Sequence, residues 1–205
     1  MHQEALNKQG QEIFSRLSHF KNFYLAGGMA LTMQIGHRIS IDFDLFSKKP
    51  ISKKLLSNVK QVFSGQKIVP SVNNSDELTV FANTIKITFL FYPFPIIKRR
   101  VQYKGVSILG IKEIAATKAY TIGRRGSFKD YVDLYFVMTG NYASLNEIME
   151  LANKKYGGNF NSRLFLEQLI YLEDIEDTKI LFLKSQIGKD MLERFFIGEL
   201  KKLKL

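Results

Sequence analysis

Two aspartates separated by one residue, Asp42 and Asp44, lie in the otherwise apolar stretch ISIDFDLF. Because strand side chains alternate between two faces, a strand over 39–46 would place both carboxylates on one face, together with Ser40. Two uncompensated carboxylates need either solvent or a cation, and oxygen ligands suit a divalent cation. The pair therefore predicts a metal site, with an exposed edge strand as the alternative. The opposite face would carry the apolar residues Ile39, Ile41, Phe43 and Leu45.

A pair of glycines, Gly27 and Gly28, follows a short apolar strand predicted over 23–25 and precedes a helix predicted over 29–35. Glycine lets the backbone approach a phosphate closely, and the start of a helix offers unpaired N–H groups and a partial positive charge. Arg38 follows in the turn towards the aspartates, where it could clamp a phosphate or pair with one of the carboxylates. A phosphate cradle beside metal-binding carboxylates is typical of a nucleotidyltransferase.

Two blocks of the sequence together resemble a known family. The first is GGMALTMQIGHRISIDFD, a glycine pair followed by HRxSxDxD, and the second is IAATKAYTIGRRGSFKDYVDLYFVM. Their combination and order resemble the nucleotidyltransferases of the AbiEii/AbiGii toxin family, relatives of the DNA polymerase beta superfamily. Weaker similarity extends over residues 20–196, so the resemblance covers nearly the whole chain.

The resemblance implies an α+β fold: an N-terminal mixed sheet of the polymerase-beta type with flanking helices, followed by a C-terminal helical bundle. It implies that a nucleoside monophosphate is moved from an NTP to an acceptor, with Mg²⁺ as cofactor and the 3′ end of tRNA as the expected acceptor. It further implies the toxin of a bacterial toxin–antitoxin or phage-defence pair, with an antitoxin as partner. A protein hydroxyl as acceptor is the alternative.

The same resemblance implies roles for individual residues. Asp42 and Asp44 would hold the metal, Lys118 would stabilise the triphosphate, and Asp130 would complete the site or act as base. The residues expected to bind the nucleotide phosphates are Gly27, Gly28, Arg38 and Ser40.

Three residues of the predicted helices have structural alternatives. Lys118 lies on an apolar helix face, where the stem of a lysine usually packs while its ammonium reaches water. Asp130 falls in the first turn of a predicted helix, where a carboxylate interacts with the helix dipole. For Asp133, three residues later on the same helix surface, a structural role is favoured, with Arg124 or Arg125 as its partner.

One position departs from the pattern of the superfamily. Many polymerase-beta relatives carry a third carboxylate on a neighbouring strand, and the corresponding residue here is Thr88, which binds metal poorly. One interpretation is a catalytically silent nucleotide-binding regulatory module. The other, which the resemblance favours, is that Asp130 supplies the missing acid.

The length and composition limit the classes of protein to which the chain can belong. The chain has 205 residues, of which 45% are hydrophobic, and this is enough for one large domain or two small ones. It has no cysteine, which excludes disulfides and thiolate metal sites and agrees with a reducing cytoplasm. The N-terminal residues MHQEALNKQG do not resemble a secretory signal, and no apolar run approaches the roughly 20 residues that span a bilayer.

A formal net charge of +11 favours a polyanionic partner, with nucleic acid as the first candidate. The alternative is that the charge serves solubility or reflects a basic proteome. The residues expected to contact RNA are Lys98, Arg99, Arg100, Arg124 and Arg125.

The periodicity of apolar residues changes from strand-like to helical near residues 105–111. It predicts a sheet subdomain over 1–108 and a helical subdomain over 109–205, packed together as one unit. In the first, strands are expected over 67–72, 78–82 and 84–92, with a hairpin over 101–108 and helices over 3–19 and 52–63. In the second, helices are expected over 111–122, 128–138, 145–156, 161–172 and 185–203. The run TIKITFLFY, at 84–92, is expected to lie beside the strand that carries the aspartates.

Overall fold

The computed structural model describes residues 1–203, which form two compact units. The first comprises Met1–Pro95 and Arg99–Gly110, and the second comprises Ile96–Lys98 and the described residues from Ile111 onwards. The change in periodicity predicts a boundary after residue 108, and it contains no signal for the grouping of Ile96–Lys98 with the helices.

The first unit is built on a seven-stranded mixed sheet. Its strands in chain order are β1 (Tyr24–Ala26), β2 (Phe43–Ser47), β3 (Ile68–Asn73), β4 (Glu77–Ala82), β5 (Ile85–Phe91), β6 (Val101–Tyr103) and β7 (Val106–Ile108). Their order in the sheet is β3-β4-β5-β2-β1-β7-β6. The pairs β2/β5 and β1/β7 are parallel, and the other neighbours are antiparallel. The run TIKITFLFY forms β5 beside the aspartate strand β2, as its pattern predicted.

One face of this sheet is packed into a hydrophobic core. Phe43, Leu45, Ile87 and Phe89 alternate along β2 and β5 and are buried. The helices of this unit are α1 (Lys8–Arg16), α2 (Gly27–Ile35) and α3 (Leu55–Val62). The ring of Phe20 lies 4.9 Å from the ring of Phe89, so aromatic packing contributes to the core.

Two predicted elements of the first unit are shorter in the structure. The strand expected over 39–46 begins only at Phe43, and Ile41, expected on the apolar face, is 52% exposed. The cause is the neighbouring strand: Ala26 pairs with Asp44, and the next residue already belongs to α2. The helix expected over 3–19 contains α1, which Asn7 caps by accepting a hydrogen bond from Gly10 N at 2.7 Å, and two short 3₁₀ turns.

The second unit is helical. Its helices are α4 (Ile111–Arg125), α5 (Phe128–Thr139), α6 (Leu145–Tyr156), α7 (Ser162–Ile170) and α8 (Lys189–Leu200). Within this unit α4 contacts α5, α6 and α7, and α8 contacts α5 and α7. A mixed sheet followed by helices is the α+β architecture that the sequence predicted. No helix within residues 1–203 has the length and apolar character needed to cross a bilayer.

A buried carboxylate joins the segment Ile96–Lys98 to the helices. Glu113 Oε1 accepts hydrogen bonds from the backbone N–H groups of Ile97 at 2.5 Å and Lys98 at 2.7 Å. Its other oxygen, Oε2, lies 2.5 Å from Lys155 Nζ, and both side chains of this ion pair are fully buried. Breaking such a pair would leave an uncompensated buried charge, so Glu113 fixes the segment firmly to α4.

Candidate active site

Asp44 lies at the centre of a polar strip on the sheet. It pairs with Ala26 of β1 on one side and with Thr88 of β5 on the other, and Thr88 pairs with Thr79 of β4. Paired residues share a face, so these side chains lie opposite the packed core. This side of the sheet, defined by Asp44, Thr88 and Thr79, is its aspartate face. Asp44 is only half-buried there, between the buried residues Phe43 and Leu45.

The glycine pair lies directly against the predicted site residues. Gly27 has a φ of +64°, and a Cβ at this position would overlap the Oδ2 atom of Asp44. A Cβ on Gly28 would lie 2.5 Å from Arg38 Nη2 and 3.3 Å from Ser40 Oγ. Gly27 is favoured by its backbone conformation and by the close approach of Asp44, whereas a side chain at Gly28 would have to displace the guanidinium of Arg38. The first turn of α2 thus brings together the five predicted residues Gly27, Gly28, Arg38, Ser40 and Asp44.

Arg38 gives this cluster a positive charge below the surface. The residue is only 3% exposed, and its Nη1 donates to the carbonyl of Ile39 at 3.1 Å. A guanidinium stays protonated, and here it lies against Gly28 at the start of α2, where the helix dipole is also positive. The combination of a buried cation, a hydroxyl and a helix start suits an anionic group such as a phosphate.

Asp42 precedes β2 and remains open to solvent. Its side chain is 49% exposed, and its Oδ2 lies 3.5 Å from the ammonium of Lys86, which is itself 40% exposed. An ion pair this exposed contributes little stability. Lys86 is not among the site residues predicted from the sequence, although its spacing of two residues from Thr88 places it on the same strand face.

Thr88 lies where the superfamily pattern places a third acid, directly opposite Asp44. Its hydroxyl is 3.2 Å from that of Thr79, and the Thr79 hydroxyl donates to Glu77 Oε1 at 2.6 Å. A chain of hydroxyls therefore connects the position opposite Asp44 to the carboxylate of Glu77 on β4. Sequence reasoning missed Glu77, because only the pairing of β4 with β5 brings it near.

The carboxylates of the first unit fit a magnesium ion that is shared with a substrate. Within residues 1–203 no group of three or more acidic, histidine or cysteine side chains is placed to enclose a metal. Mg²⁺ does not require such an enclosure, because it is usually held by one or two carboxylates together with substrate phosphates and water. Asp42 and Asp44, close in sequence and both partly exposed, match that requirement.

The second unit contains a compact charged cluster of Lys118, Asp130 and Asp133. Lys118 Nζ lies 2.6 Å from Asp130 Oδ1 and 2.8 Å from Asp133 Oδ2. The side chains of Lys118 and Asp130 are 11% and 10% exposed, and that of Asp133 is fully buried. The other oxygen of Asp130 accepts hydrogen bonds from the backbone N–H and hydroxyl of Ser127, at 3.1 and 2.9 Å. Burial and the charge of Asp130 raise the pKa of Tyr131 to about 12.

The geometry of this cluster contradicts two of the structural alternatives predicted from the sequence, one for Lys118 and one for Asp133. The ammonium of Lys118 does not extend to water, because two carboxylates hold it below the surface. Asp133 pairs with this lysine, and the suggested partners Arg124 and Arg125 were wrong. Asp130 lies in the first turn of α5, as expected, where it caps the helix through Ser127. The roles of Lys118 and Asp130 in catalysis stay predictions.

All five residues expected to contact RNA are exposed, but they belong to different units. Lys98, Arg124 and Arg125 belong to the helical unit, whereas Arg99 and Arg100 belong to the sheet unit. The guanidinium of Arg100 lies 5.6 Å from the ring centroid of Tyr24, a residue of the aspartate face. That of Arg124 lies 4.4 Å from the ring of Tyr120 and donates to the carbonyl of Asn159 at 3.1 Å.

Comparison with known sequences identifies a family and a relative. A model of the family described as nucleotidyl transferase AbiEii toxin, type IV toxin–antitoxin system, matches residues 11–201. The uncharacterized protein aq_aa25 of Aquifex aeolicus (strain VF5) is 34% identical over 179 residues. The matched region is 84% of this chain and 85% of that protein.

Solved structures share the fold at much lower identity. MenT4, the nucleotidyltransferase toxin Rv2826c of Mycobacterium tuberculosis H37Rv, is similar with a TM-score of 0.61 and 14% identity, over 94% of this chain and 83% of MenT4. A Helicobacter pylori protein assigned provisionally as a nucleotidyltransferase is similar with a TM-score of 0.60 and 17% identity, over 97% of this chain and 98% of that protein. At these identities the likeness concerns the fold.

Proposed function

Because the chain belongs to the AbiEii family of nucleotidyl transferase toxins of type IV toxin–antitoxin systems, we propose that it modifies the 3′ end of an RNA, with tRNA as the expected acceptor. The chain is a nucleotidyltransferase that uses an NTP, and its family implies an antitoxin partner. The identity of the acceptor, the use of magnesium and a role in phage defence are parts of the proposal.

The observation that carries the proposal is the cluster at the start of α2. Gly27 and Gly28 leave room for Asp44 and for the guanidinium of Arg38, so a carboxylate and a buried cation both lie against a helix start. The cation and the helix start favour the phosphates of an NTP, and the carboxylates favour a divalent cation bound to those phosphates. In our proposal Arg38 and Ser40 orient the triphosphate.

Asp42 and Asp44 are the residues that would hold Mg²⁺. When bound, this ion would polarise the reacting phosphate and neutralise charge on the pyrophosphate leaving group. The two carboxylates would fix the position of the triphosphate against the aspartate face, where the acceptor hydroxyl must approach. Lys118 and Asp130 remain the residues predicted to stabilise the triphosphate and to complete the site.

An RNA acceptor is favoured over a protein acceptor by the charge of the chain. The formal net charge is +11, and Arg99 and Arg100 are exposed in the unit that carries Asp44. Cationic side chains bind the RNA backbone by releasing its counterions, which makes the affinity depend on salt. We expect the change of Arg99 and Arg100 to glutamate to flatten the slope of log affinity against log salt. An unchanged slope would remove both arginines from the RNA surface.

The experiment that tests the proposal is the fate of a labelled NTP. Wild-type protein is incubated with each of the four NTPs labelled at the α-phosphate, magnesium, total RNA and lysate protein, and the products are separated by gel. We expect a labelled band in the size range of tRNA that disappears with Asp44→Ala. Asp76→Ala is the matched control, because Asp76 is an exposed aspartate in the turn before β4, and this variant should keep full activity.

Each result of this assay has a defined meaning. Label on RNA that is lost with Asp44→Ala and kept with Asp76→Ala supports the proposal. Label on protein alone would replace the RNA acceptor with a protein hydroxyl. Label on RNA that persists in Asp44→Ala would remove Asp44 from the mechanism.

A further inference from the structure

The aspartate face continues beyond the candidate active site into an exposed surface on β3, β4 and β5. Phe81 of β4 pairs with Lys86 of β5 and with Val69 of β3. Phe81 lies two residues from Thr79, whose hydroxyl approaches that of Thr88, so Phe81 and Lys86 point to the same side of the sheet as Asp44. The surface formed by Val69, Phe81 and Lys86 is the outer part of the aspartate face.

This outer part exposes apolar side chains on a sheet whose other face is well packed. Phe81 is 37% exposed and Val69 is 45% exposed, whereas the alternate residues Val80 and Ile87 are fully buried. A single exposed apolar residue is ordinary, but here an aromatic ring and an aliphatic side chain lie side by side.

Lys86 connects this surface to the carboxylates. Its ammonium is 40% exposed and lies 3.5 Å from Asp42 Oδ2. Phe81 lies on β4, and Asp42 directly precedes β2. The strand β5 lies between these two strands, so they are two strand spacings apart, or about 10 Å. The aromatic ring is therefore about one or two nucleotide lengths from the carboxylates, with a cation between them.

We propose that the outer part of the aspartate face binds the unpaired 3′ end of the acceptor RNA, with a base stacked on Phe81 and a backbone phosphate beside Lys86. Aromatic rings on an open sheet are used to stack unpaired bases, and a neighbouring cation binds the backbone. A duplex cannot offer its bases in this way, so the surface selects an unpaired end. This inference rests on the proposed RNA acceptor.

The absence of tryptophan from the chain allows a direct test. Phe81→Trp introduces a single tryptophan, whose fluorescence is quenched when a base stacks on it. The probe is an RNA hairpin with an unpaired 3′ extension, and the same hairpin without the extension is the RNA control. The protein control is Tyr171→Trp, because Tyr171 is 46% exposed and the charges of Asp174 and Glu173 raise its pKa, which indicates acidic surroundings unfavourable to RNA.

We expect the extended hairpin to quench the tryptophan emission of Phe81→Trp, the blunt hairpin to quench it much less, and neither to quench that of Tyr171→Trp. Phe81→Ala should weaken binding of the extended hairpin and raise its KM about five- to a hundredfold, while the KM for the NTP stays unchanged. Phe81→Tyr should restore both values, because it keeps the ring. Thermal melts should show every variant folded at the assay temperature, with a lower melting temperature for Phe81→Ala, because most of the ring of Phe81 is buried.

The outcomes separate this inference from the proposed function. If wild-type protein labels RNA but the extended hairpin binds without quenching Phe81→Trp, or Phe81→Ala keeps its acceptor KM, the inference is wrong and the RNA acceptor stands. Quenching of Phe81→Trp by purified cognate antitoxin but not by RNA would assign the surface to a protein and would also overturn the inference. A wild-type protein that labels no RNA in the transfer assay would overturn the proposed function and this inference with it.

Discussion

The two units each contain a pair of aspartates, and the two pairs differ in their surroundings. Asp42 and Asp44 are partly exposed on the sheet, beside glycines and a half-exposed lysine. Asp130 and Asp133 lie below the surface of the helical unit and enclose the ammonium of Lys118. The spacing of Asp42 and Asp44 predicted a metal site and the family resemblance singled out Asp130, but only the structure distinguishes an open pair from an enclosed one.

This difference in exposure indicates whether each pair contributes mainly to transfer or mainly to stability. The ion pair of Asp42 with Lys86 is half-exposed and contributes little stability, and a partly exposed carboxylate pair can accept a cation and a substrate. A buried cluster is costly to break, because removal of one partner leaves charge without solvent. We therefore expect changes in the open pair to affect transfer, and changes in the enclosed cluster to affect stability first.

Asp44→Ala should give the largest effect on transfer. Loss of a carboxylate that holds the metal removes several kcal/mol of transition-state stabilisation, which corresponds to about a thousandfold in rate. The melting temperature should stay equal or rise slightly, because a like charge near Asp42 is removed. Steady-state transfer assays and thermal melts measure both quantities. A variant that keeps near-wild-type transfer would remove the open pair from the site.

Lys118→Met should give the largest effect on stability, about 3–5 kcal/mol in the free energy of unfolding. Without the ammonium, Asp130 and Asp133 are left as buried carboxylates with no compensating charge. Urea unfolding of the variant and of the wild type measures the loss. Lys129→Met, at an exposed position of α5, is the control and should change little.

Asp130→Asn and Asp133→Asn should separate catalysis from structure within the enclosed cluster. If Asp130 completes the site, its change to asparagine should lower transfer by about a hundredfold with the protein still folded. Asp133→Asn should mainly lower stability, because Asp133 is fully buried. Both variants leave Lys118 with one carboxylate, so they are matched for charge. Transfer that is kept in Asp130→Asn and lost in folded Asp133→Asn would show that the wrong aspartate was assigned.

Gly27→Ala and Gly65→Ala should each lower stability modestly and still differ in transfer. Both glycines have a positive φ, so alanine strains each backbone by roughly 1–2 kcal/mol. Only at Gly27 would the new Cβ meet Asp44 Oδ2, because nothing lies within 4 Å of a Cβ on Gly65. Transfer lost only in Gly27→Ala, with both variants folded at the assay temperature, would support the close approach. Equal transfer by the two variants would mean that the close approach of Gly27 to Asp44 is not needed for transfer.

The sequence by itself determined the types and order of most elements. Apolar periodicity is a local property, and it placed α6 at the residues where the structure has it and β5 beside the aspartate strand. The spacing of two residues between Asp42 and Asp44, and the glycine pair before a helix, similarly placed most of the candidate site. The family resemblance rested on these same local patterns.

The tertiary structure decided which groups meet. The start of β2 depends on where β1 ends, and the partners of Asp42, Asp133 and Glu113 come from other elements of the chain. Ion pairs between distant residues leave no periodic signal, since any of many lysines could satisfy the same carboxylate. The exposure of a carboxylate is likewise set by what packs around it. Whether an aspartate pair is open or enclosed is therefore a property of the packed protein and cannot be obtained from the spacing of the residues.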